Sequence, residues 1–523
     1  MLLILLIAIL AITALVMLIL RLVRPDFGYH WLIATGGALV SWIVVFLVKF
    51  QLPITLQMVN WGPQTTFPNS FILVADQVSW PFALGLCTLA LGTLLTDVIR
   101  AYDLEWSNWA SSLAITAIGL LSVFSGNLLS FILAWTAFDL VNLIIYLAQL
   151  QIGRSRRRAA WLFFARLIGS TFLLIGGVIA VDDNASFLLE RVSPGAILFI
   201  VLASGIRISS VLIESSIIEN QVNRRSFGTV ACLGSATIVF VFLARIASAV
   251  GNVQSASAGT LTIFGLIGLV SLVAALGWLL AKDELDGRHA FILGVGSIVI
   301  ATSIRAEAGA SISWGFSGLL SGGLIFLSSV RSRFSRWISL FGLLGISILP
   351  FTSSWGTHAL FAAPLNIFHL LYFFAFILLL LGYAGHASQE KLASPGIEPW
   401  IRLVYPVGLI LILLVQLTFV WFYLPELGEV AIAGWIVGPL ISFIVLLGYF
   451  WQNRGERISR FQTGRLNASL SLEWLYPIIQ SLFRYLARLL HFFSRVLEGE
   501  GGFLWVMLWI ILILAILIIS FAS

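Results

Sequence analysis

The sequence predicts an all-α polytopic membrane protein with about sixteen transmembrane helices. Three observations lead there. First, the 523 residues are 60% hydrophobic and 10% charged, with a mean hydropathy of +1.05, whereas soluble domains carry about 25% charged residues. Second, apolar runs of spanning length recur to the end of the chain. Third, basic residues alternate between successive loops. The formal charge of +6 and pI near 9.5 therefore describe topology, not nucleic-acid binding, because Lys and Arg sit in short loops between apolar runs.

The runs fall near 2–20, 31–50, 78–99, 109–125, 127–150, 159–180, 195–213, 227–247, 260–281, 289–304, 311–330, 337–353, 363–385, 401–424, 430–450 and 503–522. With the N-terminus outside, the inward loops hold Arg21 and Arg24, Arg100, Arg154–Arg158, Arg224 and Arg225, Lys282 and Arg288, Arg331 to Arg336, Lys391 and Arg402, and Arg454 to Arg465. The outward loops are poor in base: 51–77 has none and 248–260 has no charge. Both termini are therefore expected outside, in a multi-pass protein of the cell membrane. The first run lacks a preceding basic region and a small-residue cleavage site, so it reads as a retained span and not a signal peptide.

The organising stretch is Gly126 to Arg158. Asp139 lies midway through its apolar run. A charge at that depth costs about 2.5–3.5 kcal/mol on insertion scales, so it marks an ion path or pairs with a neighbouring helix to hold the bundle together. Two other spans look interrupted. Pro350 precedes the polar run FTSSWGTH, and the span from Gly195 runs into Glu214 and Glu219 without a clear stop. Broken helices at corresponding places in two halves are the mark of inverted-repeat transporters.

Other features are negative or bland. Cys87 and Cys232 lie in apolar runs, which argues against a disulfide framework or a cysteine metal site. No phosphate-cradling loop and no metal-ligand spacing occurs, so no cofactor, metal or catalytic site is expected. The charged loop around Lys282, Asp283, Glu284, Asp286, Arg288 and His289 reads as solvated. His358 and His369 are titratable candidates, or simply hydrogen-bonded helix residues. In 466–498, Arg484, Arg488, His491 and Arg495 share one helical face, with Leu475, Ile479, Leu482, Leu486, Leu489 and Phe493 largely away from it. This reads as an amphipathic helix about 35–40 Å long on the cytoplasmic surface, with docking on a partner subunit as the alternative.

GNLLSFILAW and LIIYL at 126–147 resemble the fifth helix of the antiporter-like family. That family holds the proton-pumping membrane subunits of NADH:quinone oxidoreductase (respiratory complex I), related hydrogenase subunits, and the large subunits of Mrp-type cation/proton antiporters. Asp139 falls near the family's Glu, two residues further from Trp135. VADQVSWPFALG at 74–85 is similar to its third helix, with Asp76 and Ser79. AWLFFARLIGS at 160–170 is similar to its sixth, where Arg166 falls on an Arg. ASGIRISSVLIESSIIEN, SGGLIFLSS and GISILPFTSSWGTH match later segments, and LEGEGGFLW at 497–505 also has relatives there.

The resemblance implies two inverted five-helix repeats with discontinuous helices. It gives a core at 71–385, flanked by N-terminal helices in 1–70, added helices in 386–465, and the surface helix and last span in 466–523. It implies other membrane subunits, lipid, and protons or monovalent cations as partners. The departures are as informative. The family's Lys is replaced by Arg207 and a nearby His by Glu214, and Cys232 stands where a His is common. In the second repeat Gly318 and Gly322 replace His and Lys, and Thr357, beside His358, falls near the last Lys or Glu.

Proton exchange needs groups whose pKa can be moved to the working range, and Arg stays charged. Arg207 is thus expected as a fixed charge in an ion pair with Asp139, with Glu214 open as a third member. The buried charged set is Asp139, Arg207, Glu214, Glu219 and Arg166, with His358 in the second half. Three readings follow: a proton-translocating subunit of a complex, a scaffold subunit with a decayed ion path, and an unrelated multispan transporter. Any redox chemistry belongs to partner subunits.

Overall fold

The structure, a computed structural model, describes residues 2–57, 71–150, 154–182, 194–218, 220–250, 258–330, 333–362, 364–389, 398–423, 432–454, 481 and 488. The chain divides into two compact units, Met1–Ile458 and Ser459–Ser523. The expected surface helix at 466–498 and the last span at 503–522 lie outside the described residues, apart from Ser481 and Arg488.

The first unit is a helical bundle. It runs α1 (Leu2–Val23), α2 (His30–Val48), a hairpin of β1 (Ile54–Gln57) and β2 (Ile72–Ala75), α3 (Ser79–Asp97), α4 (Trp106–Val123), α5 (Leu128–Gln149), α6 (Arg154–Asp182) and α7 (Pro194–Ser215). It continues through α8 (Gln221–Arg225), α9 (Phe227–Val250), α10 (Ala258–Leu280), α11 (Arg288–Ile304), α12 (Ala308–Leu327), α13 (Arg333–Gly345), α14 (His369–Ser388), α15 (Pro399–Tyr423) and α16 (Ile432–Arg454). Among the described residues, 11 helices are long and apolar enough to cross a membrane. Each expected span before residue 451 overlaps one helix, the 337–353 span only as far as Gly345, and α8 is a short extra turn.

Apolarity all round a helix buries it centrally. The α9 and α12 spans are 100% buried, whereas the α1 span is 22% buried and sits at the edge. Around this centre α3 packs on α15, α4 on α9, α6 on α7, and α10 on α11 and α14. Small residues let the central helices close up. A Cβ at Gly318 would collide with Val295 Cγ1, and one at Gly322 would lie 3.0 Å from the Phe291 ring.

The helix ends follow from local chemistry. Asn127 caps α5, its side chain accepting from Ser130 N at 2.8 Å. Ser79 N donates to Asp76 Oδ1 at 2.7 Å at the start of α3. The interrupted helix expected after Gly345 is present. α13 stops there, Ile348 and Phe351 take positive φ of 56° and 64°, and a 3-10 helix runs Trp355–Phe361.

The first half differs from expectation. α7 is unbroken from Pro194 through Arg207 and Glu214. No Pro or Gly follows Gly205 within it to interrupt the ladder. It ends where the Ser215 and Ser216 hydroxyls bond back to Leu212 O and Ile213 O. The 282–289 loop also differs, being docked and not solvated. Glu284 and Arg288 are fully buried. Arg225 pairs with Glu284 at 2.6 Å, Arg224 pairs with Asp286 at 3.3 Å, and Arg288 donates to Arg224 O at 2.7 Å. The basic turn at α8 supplies the countercharge that sequence spacing alone does not reveal.

Candidate functional site

The site lies where α5, α6 and α7 meet. On α5, Asp139, Asn142 and Tyr146 stand at i, i+3 and i+7. On α7, Arg207, Ser210 and Glu214 repeat that spacing. Each triad therefore forms one polar face on an otherwise apolar helix, and reaches about 10 Å along the axis. Arg166 on α6 lies between the two faces.

The side chains form one row of alternating charge. Arg207 Nη1 donates to Asp139 Oδ2 at 2.7 Å. Arg166 Nη1 reaches Asp139 Oδ1 at 3.4 Å, and its Nη2 donates to Glu214 Oε2 at 2.7 Å. The expected Asp139–Arg207 pair is thus present, and Glu214 joins it through Arg166. Neutral donors complete Glu214: Asn142 Nδ2 at 3.0 Å and the Tyr146 hydroxyl at 2.8 Å, both to Oε1. Arg166 Nε donates to Ser210 Oγ at 3.2 Å. The Cys232 thiol and the buried Arg288 guanidinium lie within electrostatic range of the Glu214 end.

All four charged side chains are buried, none more than 3% exposed. Such a cluster persists only when its charges balance. Two guanidiniums face two carboxylates, so the row is neutral overall. Arg207 Nε and Nη2 lack hydrogen-bond partners, but its guanidinium carbon lies 4.2 Å from the Trp135 ring centroid and 5.5 Å from that of Phe138. The aromatic faces substitute for missing acceptors.

The arrangement can hold and redistribute charge at bilayer depth. Neither arginine can release its proton, so exchange falls to the carboxylates and their hydroxyl and thiol neighbours. Arg166 is the shared member, near both acids but closer to Glu214. A proton on either acid would leave it free to tighten on the other.

The remaining sequence candidates lie elsewhere. His358 belongs to the 3-10 helix, which packs against α11, α12 and α16, with Nδ1 2.6 Å from Trp355 O. Its charged neighbour is Glu307 on the α11–α12 turn, so the structure does not bring it to the row. Glu219 lies outside the described residues. Asn142 and Ser210 were not foreseen as members, although the i, i+3, i+7 polar stripe through Asp139 or Arg207 could have found them. Among the described residues, no group of three or more His, Cys, Asp or Glu could hold a metal ion.

No protein-family model matches the chain, and no curated protein matches it by sequence. Solved structures do match. A chain of the membrane-bound sulfane sulfur reductase, an archaeal respiratory membrane complex, aligns with a TM-score of 0.65 at 12% identity, covering 97% of this chain and 99% of that one. A chain of the Mrp complex from Dietzia sp. DQ12-45-1b aligns with a TM-score of 0.67 at 13% identity, covering 99% of this chain and 63% of that longer one. A chain of respiratory complex I from Thermus thermophilus aligns with a TM-score of 0.57 at 18% identity, covering 81% and 99%. At such identities the likeness establishes the fold alone: the chain has the many-helix membrane-spanning architecture of these chains.

Proposed function

We propose that this chain is a membrane subunit of a respiratory NADH:quinone oxidoreductase-like or cation/proton antiporter complex, and that it contributes to proton translocation. The observation that carries this reading is the buried, charge-balanced row Arg207–Asp139–Arg166–Glu214 across three adjoining helices. Ionisable groups inside a membrane bundle are costly, and they mark ion paths more often than mere packing. The row reaches about a third of the way through a hydrocarbon core some 30 Å thick. Proton movement along it would switch Arg166 between its two acids. Redox or hydride chemistry would belong to partner subunits. The cell membrane, outward termini and two inverted repeats within 71–385 are part of this reading; the loop charges support the orientation, and the repeats rest on the sequence resemblance, since α7 runs unbroken where α13 is interrupted.

One observation favours a second reading, a structural subunit whose ion path has decayed. Val295 and Phe291 fill the space where a side chain at Gly318 or Gly322 would stand, so neither position holds the His or Lys that the resemblance implies there. Purification of the tagged full chain from its native membrane separates the readings. Co-purifying membrane subunits and proton flux abolished by Asp139→Asn support translocation. Co-purification with flux indifferent to Asp139→Asn supports the scaffold, and a chain isolated alone refutes both.

A further inference from the structure

We propose that the chain binds one aminophospholipid in a groove between α1, α4 and α5, with the ammonium headgroup held at the acidic start of α4. This site is separate from the α5–α7 row and does not rest on the proposed proton path.

The groove follows from the spacing of side chains on three helices. α4 packs on both α1 and α5. It lines the groove with Ser107, Ala110, Ser111 and Ala114, at i, i+3, i+4 and i+7, which is one helical face. Small side chains on that face make a floor and leave the space above it open. The walls are the same i, i+3, i+4, i+7 stripe on α1, from Ala11 to Leu18, and on α5, from Val141 to Ala148. The space they bound measures about 890 Å³, within the range of ligand sites. Leu15 and Ile144 are each more than half exposed, so the apolar walls open sideways, as an acyl chain entering from a bilayer requires.

One end of the groove is polar and acidic. Asp103, Glu105 and Asn108 line it at the start of α4, with Asn220 and Asn223 from the α8 turn. Among the described residues that line the groove, none is Lys or Arg, although the loops at this end of the bundle are otherwise basic. Asn108 is 3% exposed, and its Oδ1 has no hydrogen-bond partner. A buried acceptor in this state is costly unless a ligand brings a donor. Two carboxylates and an unmatched carbonyl call for a cationic donor, and a primary ammonium carries three N–H groups. Trp106 also lines this end. Its ring can face a cation, and Trp is enriched at headgroup depth. Asn220 Oδ1 is occupied in capping α8, accepting from Val222 N at 2.9 Å. Its amide nitrogen is therefore the group it can offer a ligand, and it suits a phosphate oxygen.

Length favours a lipid over a protein helix as the occupant. Each stripe covers seven residues of rise, about 10 Å. A spanning helix would need a surface of about 30 Å, through both leaflets. The groove serves one leaflet, from headgroup depth inward, as a single lipid does.

The test is native mass spectrometry of the purified, delipidated full chain, titrated in detergent with dioleoyl lipids bearing ethanolamine, choline or glycerol headgroups. The expected result is one retained lipid, with ethanolamine at least about fivefold tighter than glycerol and choline between them. Asp103→Asn with Glu105→Gln should bring the three headgroups within about twofold of one another. Ala114→Trp, which fills the groove, should abolish retention of all three. Asp103 and Glu105 are exposed, so the double variant keeps the fold even if Ala114→Trp does not. In the native complex, a benzophenone attached at Leu18→Cys should crosslink phospholipid; the native cysteines, Cys87 and Cys232, are buried and stay unlabelled. Equal retention of the three headgroups, as for annular lipid only, overturns the proposal. So does a headgroup preference that survives the double variant, or a crosslink to polypeptide in place of lipid.

Discussion

Replacing Asp139 with Asn removes one of two negative charges from a row that holds two guanidiniums. The row then carries a net charge of +1 inside the bundle. Arg207 keeps its stacking on Trp135 at 4.2 Å but loses its anionic acceptor at 2.7 Å. Breaking a buried pair in this way costs about 3–5 kcal/mol, mostly because the surviving charge is left uncompensated. Removing Arg207 as well, in Asp139→Asn with Arg207→Met, restores neutrality: Arg166 and Glu214 remain, one charge each. The double variant should therefore be less destabilised than the sum of the two single variants, by about 1–3 kcal/mol of coupling. Denaturation of the detergent-solubilised chain, followed by tryptophan fluorescence, measures the cycle. Strict additivity would refute the charge-balance argument, because it would mean that Asp139 and Arg207 do not sense each other.

Arg207→Lys keeps the positive charge but introduces a group that can release its proton. It should raise proton flux in proteoliposomes several-fold and shift the pH dependence of that flux, through the added titrating group. Gly318→Ala drives a methyl group into Val295 Cγ1, and overpacking of this kind should cost about 1–3 kcal/mol, recovered by Val295→Ala in the same chain. Arg225→Met removes the 2.6 Å ion pair to a fully buried Glu284 and the donors to the Phe326 and Ser328 carbonyls, so it should cost about 3–5 kcal/mol. Arg245→Met breaks a 3.4 Å pair with Asp76, which is 31% exposed, and the share of its loss due to that pair should be about 1 kcal/mol or less.

Most of the bundle was legible in the sequence because spanning length and loop charge are one-dimensional signals. α5 is the plainest case: its Asn127 cap, its apolar length and the arginines after it can all be read along the chain. The Asp139–Arg207 pair was legible too, since two charges in neighbouring spans have few other places to go. The middle role of Arg166 was not, because it depends on how α6 rotates against α5 and α7. Glu284 and Arg288 read as a solvated loop because nothing in their own stretch announces the Arg224 and Arg225 turn that docks on them. The unbroken course of α7 was misread for a related reason: charges at Arg207 and Glu214 look like an interruption until Arg166 is seen to pair with them within a continuous helix.

The most direct test of the central claim is proton flux through the reconstituted native complex with Glu214→Gln. The substitution keeps the shape of the side chain and its contacts to Asn142 and Tyr146 while removing the acid at the end of the row. The account predicts that flux falls at least about tenfold, as loss of a positioned proton-exchanging group should cause, while the complex stays assembled. Flux at the unsubstituted rate, from an intact complex, would contradict it.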